Sequence, residues 1–192
     1  MKKLYAGIIA FTFILLAGCS QNKEFRIESV ELSNDQSELM SVTGNNVSKY
    51  SLKNVPNVKT YELKIVYEVY EKKEKIKEEQ IMAMMMEPTN ENIEDKELYL
   101  NIQEGKIQLL LDAAYGYMDI EEDIRKFSHS TLSADKNIKL GDEVYLFRGT
   151  TAENGIIDIG SEGAMSQEDK EKFMNGNEMS IFIKLVCEET EA

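Results

Sequence analysis

Between Thr60 and Tyr70 the chain reads TYELKIVYEVY, and this stretch constrains the fold more than any other. Tyr61, Leu63, Ile65, Tyr67 and Val69 fall on one side of an extended strand, and Glu62, Lys64 and Glu68 on the other. Period-two alternation rich in β-branched and aromatic residues predicts a strand with one face in a core. The charged run EKKEK follows, and the chain then returns through IKEEQIMAMMM. The expectation is a hairpin rather than the helix that propensity alone would draw through YEKKEKIKEEQIMAMMM. Val66 and Tyr70 interrupt the polar side, which predicts that this side too is partly covered, by another element or by a partner.

The same alternation recurs downstream. In ELYLNIQ, Leu98, Leu100 and Ile102 point one way, and EGK turns the chain into IQLLLDA, a second hairpin. IKLGDEVYLFRGT reads as a strand after a Gly-Asp turn. EMSIFIKLVCEE closes the domain as a strand with Met179, Ile181, Ile183, Leu185 and Cys187 on one face. In FRIESVELS the apolar phase slips at Glu28–Ser29, which predicts a bulge. Residues 33–59 are rich in Asn, Ser, Gly and Pro and read as a long loop with one short strand, and ENGIIDIGSEG reads as a turn and a short strand. Ile120, Ile124 and Phe127 sit at helical spacing, and Ser166 with Asp169 opens a helix of about two turns in MSQEDKEKF. Many short strands without a β–α–β rhythm predict a mainly β domain: an antiparallel β-sandwich or related barrel with one or two short helices.

The N-terminus belongs to a different problem. Lys2 and Lys3 precede a nearly unbroken apolar run, Leu4 to Ala17. The run is shorter than the ~20 residues of a spanning helix, and it ends in small residues, so residues 1–18 read as a signal peptide. LAGC at 16–19 resembles the lipobox of bacterial lipoproteins. That resemblance implies a diacylglycerol on the Cys19 thiol, cleavage just before Cys19, and a lipidated tether over residues 19–24. The remainder, residues 25–192, is expected to be a single extracytoplasmic domain. Acyl chains, at roughly 0.8 kcal/mol per buried methylene, would hold it on a membrane. The residue after Cys19 is Ser20, not the Asp that resembles a Gram-negative inner-membrane retention signal. The Lys-, Glu-, Asn- and Ile-rich composition points to a Gram-positive cell membrane and its outer face.

Composition narrows function mainly by exclusion. The net charge is −13 and basic residues interleave with acids, so no nucleic acid partner is expected. Cys187 has no partner for a disulfide once Cys19 is acylated, and its neighbours predict a buried, inert thiol. The single histidine, His129, lies between Ser128 and Ser130, but no G-x-S-x-G elbow accompanies it, and a solvated residue is expected. Zinc would need more His and Cys ligands than the chain offers. Asp119, Glu121, Glu122 and Asp123 put four carboxylates in five residues without the EF-hand pattern, and they read as a solvated acidic face. Met82, Met84 and Met86 fall on one face of the returning strand. Thioethers suit Cu(I), but core packing is the expectation. Of the tyrosines Tyr50, Tyr61, Tyr67, Tyr70, Tyr99, Tyr115, Tyr117 and Tyr145, any that are exposed can stack on sugars or form a partner surface. No catalytic residue, cofactor or metal is assigned. The expected function is a membrane-anchored, non-enzymatic binding or accessory module with a surface protein or glycan as partner. The alternative is a cell-envelope hydrolase or carbohydrate-processing enzyme using paired carboxylates.

Overall fold

The computed structural model describes residues 24–56, 60–88, 95–151, 165 and 167–190. Their strands are β1 (Arg26–Val30), β2 (Asn46–Lys53), β3 (Tyr61–Glu71), β4 (Glu74–Met86), β5 (Lys96–Gln103), β6 (Lys106–Leu111), β7 (Ala114–Asp119), β8 (Ser128–Thr131), β9 (Lys136–Asn137), β10 (Glu143–Thr150) and β11 (Met179–Glu189). Two helices join them, α1 (Asn34–Thr43) and α2 (Gln167–Met174). The strands form two antiparallel sheets, one in the order β7-β6-β5-β2-β1-β9 and the other β4-β3-β11-β10-β8. The chain is a β-sandwich, and the sheets do not close into a barrel.

The long alternating segment does form a hairpin. Tyr61 pairs with Met86 and Glu71 with Glu74, so Lys72 and Lys73 make a two-residue turn. Both have positive φ (47° and 74°), the geometry whose twist matches the flanking strands and which Asn-Gly usually supplies. Two register shifts leave Ile81 and Ile76 as extra residues on β4, and each marks a bulge.

Between the sheets lies one apolar core. Ile27, Tyr50 and Leu52, then Leu98, Leu100 and Ile102, then Ile107, Leu109 and Leu111 face it from one side. Leu63, Ile65, Tyr67 and Val69, with Ile181, Ile183, Leu185 and Cys187, face it from the other. Each such side chain fully removed from water contributes roughly 1.5–3 kcal/mol. A bulge between Tyr145 and Phe147 presents the Leu146 carbonyl to the Tyr50 hydroxyl, which donates to it at 3.0 Å and ties the sheets together.

Several expectations need correction. β1 pairs with β2 without any register shift, so the slip at Glu28–Ser29 is no bulge. The strand ends at Val30, and Val30 stays on the outer face. Within the long loop expected over residues 33–59, the one expected strand is β2, but α1 stands where more of the loop was expected. α1 opens with a capping box, Ser33 and Gln36 bonding each other's backbone, and closes on Gly44 in the left-handed region. The helix expected over 118–127 is only a 3-10 turn at Ile124–Lys126, although Ile120, Ile124 and Phe127 are all buried. α2 stands where MSQEDKEKF predicted it, while the start expected at Ser166 and the segment ENGIIDIGSEG lie outside the described residues.

Candidate functional site

The outer faces of the two sheets are built from unlike residues. On the five-stranded sheet, α2 lies across the strands. Its Phe173 and Met174 join Tyr70, Tyr145 and Phe182 in a second, smaller core. Tyr70 and Tyr145 meet the Phe182 ring edge-on at 5.6 and 5.4 Å between centroids. This explains the interrupted polar side of β3: at Tyr70, another element of the chain covers it.

Charge is buried under α2 as well. Glu68 is 1% exposed and accepts hydrogen bonds from Lys170 of α2 at 2.7 Å and Lys184 of β11 at 2.9 Å. Lys170 also donates to the Tyr70 hydroxyl at 2.8 Å and lies 4.6 to 5.4 Å from the rings of Tyr70, Phe182 and Tyr145. Burial alone would raise the Glu68 pKa, but the hydrogen bonds from Lys170 and Lys184 hold it at about 2. Burial pulls Lys170 down, whereas Glu143 and Glu68 overcome the same effect at Lys184 and raise it. Glu143 shares Lys184 with Glu68, its carboxylate 2.6 Å from the ammonium. The two carboxylates thus approach each other across a lysine. A glycosidase pair instead needs space between its carboxyls for a sugar and one acid that keeps its proton.

On the six-stranded sheet, α1 buries none of its own residues and only borders the outer face at its β1–β2 end, where Ser37 lines a groove with Val30, Val47 and Lys49. Pairing aligns one outward residue from each of five strands: Tyr115 on β7, Leu110 on β6, Tyr99 on β5, Lys49 on β2 and Val30 on β1. Beside it runs a second row of Tyr117, Gln108, Asn101 and Val47. Tyr115 and Tyr117 are 58% and 60% exposed, their ring centroids 6.3 Å apart and their planes 29° from parallel. The Gln108 amide donates to the Tyr115 hydroxyl at 2.9 Å, and the Asn101 amide to Gln108 at 3.0 Å and to Asn45 at 3.3 Å. Gln103 also donates to Asn45. Lys49 and Glu97 form an ion pair at 2.6 Å, with Lys49 5.2 Å from the Tyr99 ring centroid. Their hydrogen bond raises the Lys49 pKa and lowers that of Glu97, so the pair adds no net charge at neutral pH.

At its β1 end the row runs into a groove of about 390 Å³. β9 pairs with β1 only at Arg26 and Ile27, and past them the flank of β1 opens. Ser29, Ser37, Ser48 and Thr131 contribute to the lining, with Val30 and Lys49 shared between groove and row.

Why does β7 carry its large residues outward? Met82 packs over Gly116: a Cβ there would lie 3.2 Å from the Met82 Cε and 3.2 Å from the Ile81 carbonyl oxygen. The inward positions of β7 must therefore be small where the two sheets converge. Ala114, Gly116 and Met118 face in, and Tyr115 and Tyr117 face out.

The other residues singled out in the sequence disperse over the molecule. Cys19 lies outside the described residues. Cys187 is fully buried, and burial raises its pKa to about 11, as befits an inert thiol. His129 is exposed on β8, where it stacks on Phe147 at 5.3 Å and approaches Asn46 Nδ2 at 3.4 Å. Met82 and Met86 are buried, Met84 packs partly buried against the same core, and Met85 faces out. In the acidic stretch Glu122 accepts from the Tyr67 hydroxyl at 2.9 Å, and Asp123 lies 3.8 Å from Lys126. Among the described residues no group of three or more His, Cys, Asp or Glu could hold a metal ion, and no helix is long and apolar enough to cross a membrane. The tyrosine platform stands on a strand that alternation did not reveal. The signal was YGY, an alternation of inverted sense directly after IQLLLDA. No family model, curated protein or solved structure matches the chain, so the reading of this face rests on its own geometry.

Proposed function

We propose that the chain is an extracytoplasmic lipoprotein, anchored in the cell membrane through Cys19, whose folded domain is a non-enzymatic binding module. Its binding surface is the outer face of the six-stranded sheet. One observation carries this reading: of two outer faces, one is sealed by α2 and the other presents paired tyrosines, amides and a groove. Exposed tyrosines are large, stiff and amphipathic, and they are enriched where proteins make contacts. The anchor rests on LAGC directly after a short apolar run.

Two variants test the reading. Cys19→Ser should release the protein from the membrane fraction, and mass spectrometry should find acyl chains on wild-type Cys19 alone. In an envelope preparation from the producing cells, wild-type protein should bind saturably. The double variant Tyr115→Ser, Tyr117→Ser should bind at least ten-fold more weakly. Equal binding by the two proteins refutes the assignment of the face.

A further inference from the structure

We infer that the ligand of this face is a neutral glycan chain, lying across the strands with one end in the groove beside β1; this rests on the binding-module reading. The shape comes first. The row from Tyr115 to Val30 crosses four inter-strand spacings, about 19 Å at the usual separation of strands. Such a track suits a linear ligand several units long. It is continuous with the groove, because Val30 and Lys49 belong to both.

The chemistry selects the ligand class. A sugar ring offers a face of C–H groups to a π surface and a rim of hydroxyls that both donate and accept. Tyr115 and Tyr117 provide the π surface at one end of the track. Gln108, Gln103 and Asn45 provide amides, each able to donate twice and accept twice, with capacity beyond the bonds they make, and Asn101 links Gln108 to Asn45 with both of its N–H groups. The groove adds Ser29, Ser37, Ser48 and Thr131, with Leu32, Leu132 and the acidic Glu31 beside them. Along the row the ionised groups Lys49 and Glu97 neutralise each other. Lys106, 5.2 Å from the centroid of the Tyr117 ring, stands at the margin opposite Asp119. A charged polymer meets charges of both signs along this path, Lys49, Glu97 and Glu31, rather than one matching field, whereas a neutral polyhydroxyl chain meets hydrogen-bonding groups of both senses along the second row and in the groove. A protein partner of the usual kind would be anchored on a desolvated apolar centre. Here Leu110 and Tyr99 in the middle of the row are flanked by Gln108 and Asn101, and the most exposed aromatic surface, Tyr115 and Tyr117, lies to one side.

The test uses the acylated full chain in liposomes with two sets of probes. Chitohexaose, maltohexaose and their disaccharides measure length dependence. At least one hexaose should bind ten-fold or more tightly than its own disaccharide, and Tyr115→Ser, Tyr117→Ser should weaken that binding at least ten-fold. Ser37→Tyr, which fills the groove from an exposed position on α1, should reduce the hexaose advantage while leaving disaccharide binding within two-fold. Envelope material from the producing cells, treated with pronase or with anhydrous trifluoromethanesulfonic acid, separates the ligand classes. Binding should survive pronase and disappear after the acid, which cleaves glycosidic bonds and spares peptide bonds. Failure of both hexaoses to bind, equal affinity for hexaose and disaccharide, or a groove variant without effect overturns the glycan track. Envelope binding that pronase removes and the acid spares also overturns it, in favour of a protein ligand on the same face, and leaves the binding module standing. Absence of any binding to untreated envelope defeats both.

Discussion

The two outer faces of this sandwich use tyrosine and charge for opposite ends. On the five-stranded sheet, Tyr70 and Tyr145 are buried beneath α2 and Glu68 is held between two lysines. On the six-stranded sheet, Tyr115 and Tyr117 stand in solvent and the groups beside them are amides. The difference separates two kinds of residue. Those under α2 have their hydrogen bonds completed inside the chain, and their cost of removal is a cost in stability. Those on the open face keep unused capacity, and their removal should cost little until a ligand is present.

The largest effect should come from Glu68→Gln. It leaves Lys170 buried without its counter-charge, while Lys184 keeps Glu143, and breaking a buried pair in this way costs about 3–5 kcal/mol. Chemical denaturation should show that loss, while envelope binding by the still-folded fraction stays unchanged. If the variant instead kept its stability and lost binding, the roles given to the two faces would be reversed.

A core substitution calibrates this figure. Met82→Ala should cost about 2–5 kcal/mol, and Met82→Leu, which keeps volume, less than about 1.5 kcal/mol. Neither should alter binding unless the packing of Met82 over Gly116 also positions the tyrosines. A loss of binding in Met82→Ala at a temperature where the domain is folded would show that it does.

Acid should unpick the sealed face selectively. Glu68 titrates at about 2 in the fold against an ordinary 4.5, so its contribution is complete above the ordinary value and is lost as pH falls from there towards 2. The denaturation midpoint of the wild type should drop more steeply between about pH 5 and pH 2 than that of Glu68→Gln. Parallel curves would remove Glu68 from the account.

The smallest effect on stability belongs to the open face. Tyr115→Ser and Tyr117→Ser should each shift stability by no more than about 0.5 kcal/mol, the usual range for surface positions. A larger loss would make the tyrosines part of the fold rather than part of the site.

Legibility in the sequence followed the same division. β3, β5, β6 and β11 carry large apolar residues at every second position, β4 does so from Met82 to Met86, and α2 carries its acidic first turn, so these elements announced themselves. β7 did not, because Met82 takes the space above Gly116, and the glycine required there breaks the apolar alternation. β2 fills one inward position with Ser48, which blurs its alternation. α1 buries no residue and has Val42 81% exposed, so it has no apolar period to detect; its capping box was the available clue. The core of the candidate site lay in that unreadable part. A surface chosen for a ligand has no reason to follow the burial pattern from which a fold is read.

The outer strand β4 has a further consequence. Its edge is long enough, at 13 residues, to recruit a neighbouring molecule by backbone pairing. Glu74, Lys75, Lys77, Glu78 and Glu79 guard one half of it with charges of both signs, and the other half turns in against β7 near Ile81 and Met82. If Cys19 anchors the chain as proposed, copies would meet one another in two dimensions, at local concentrations far above those of free solution. An unguarded edge would there seed aggregation, which the mixed charges of β4 would oppose.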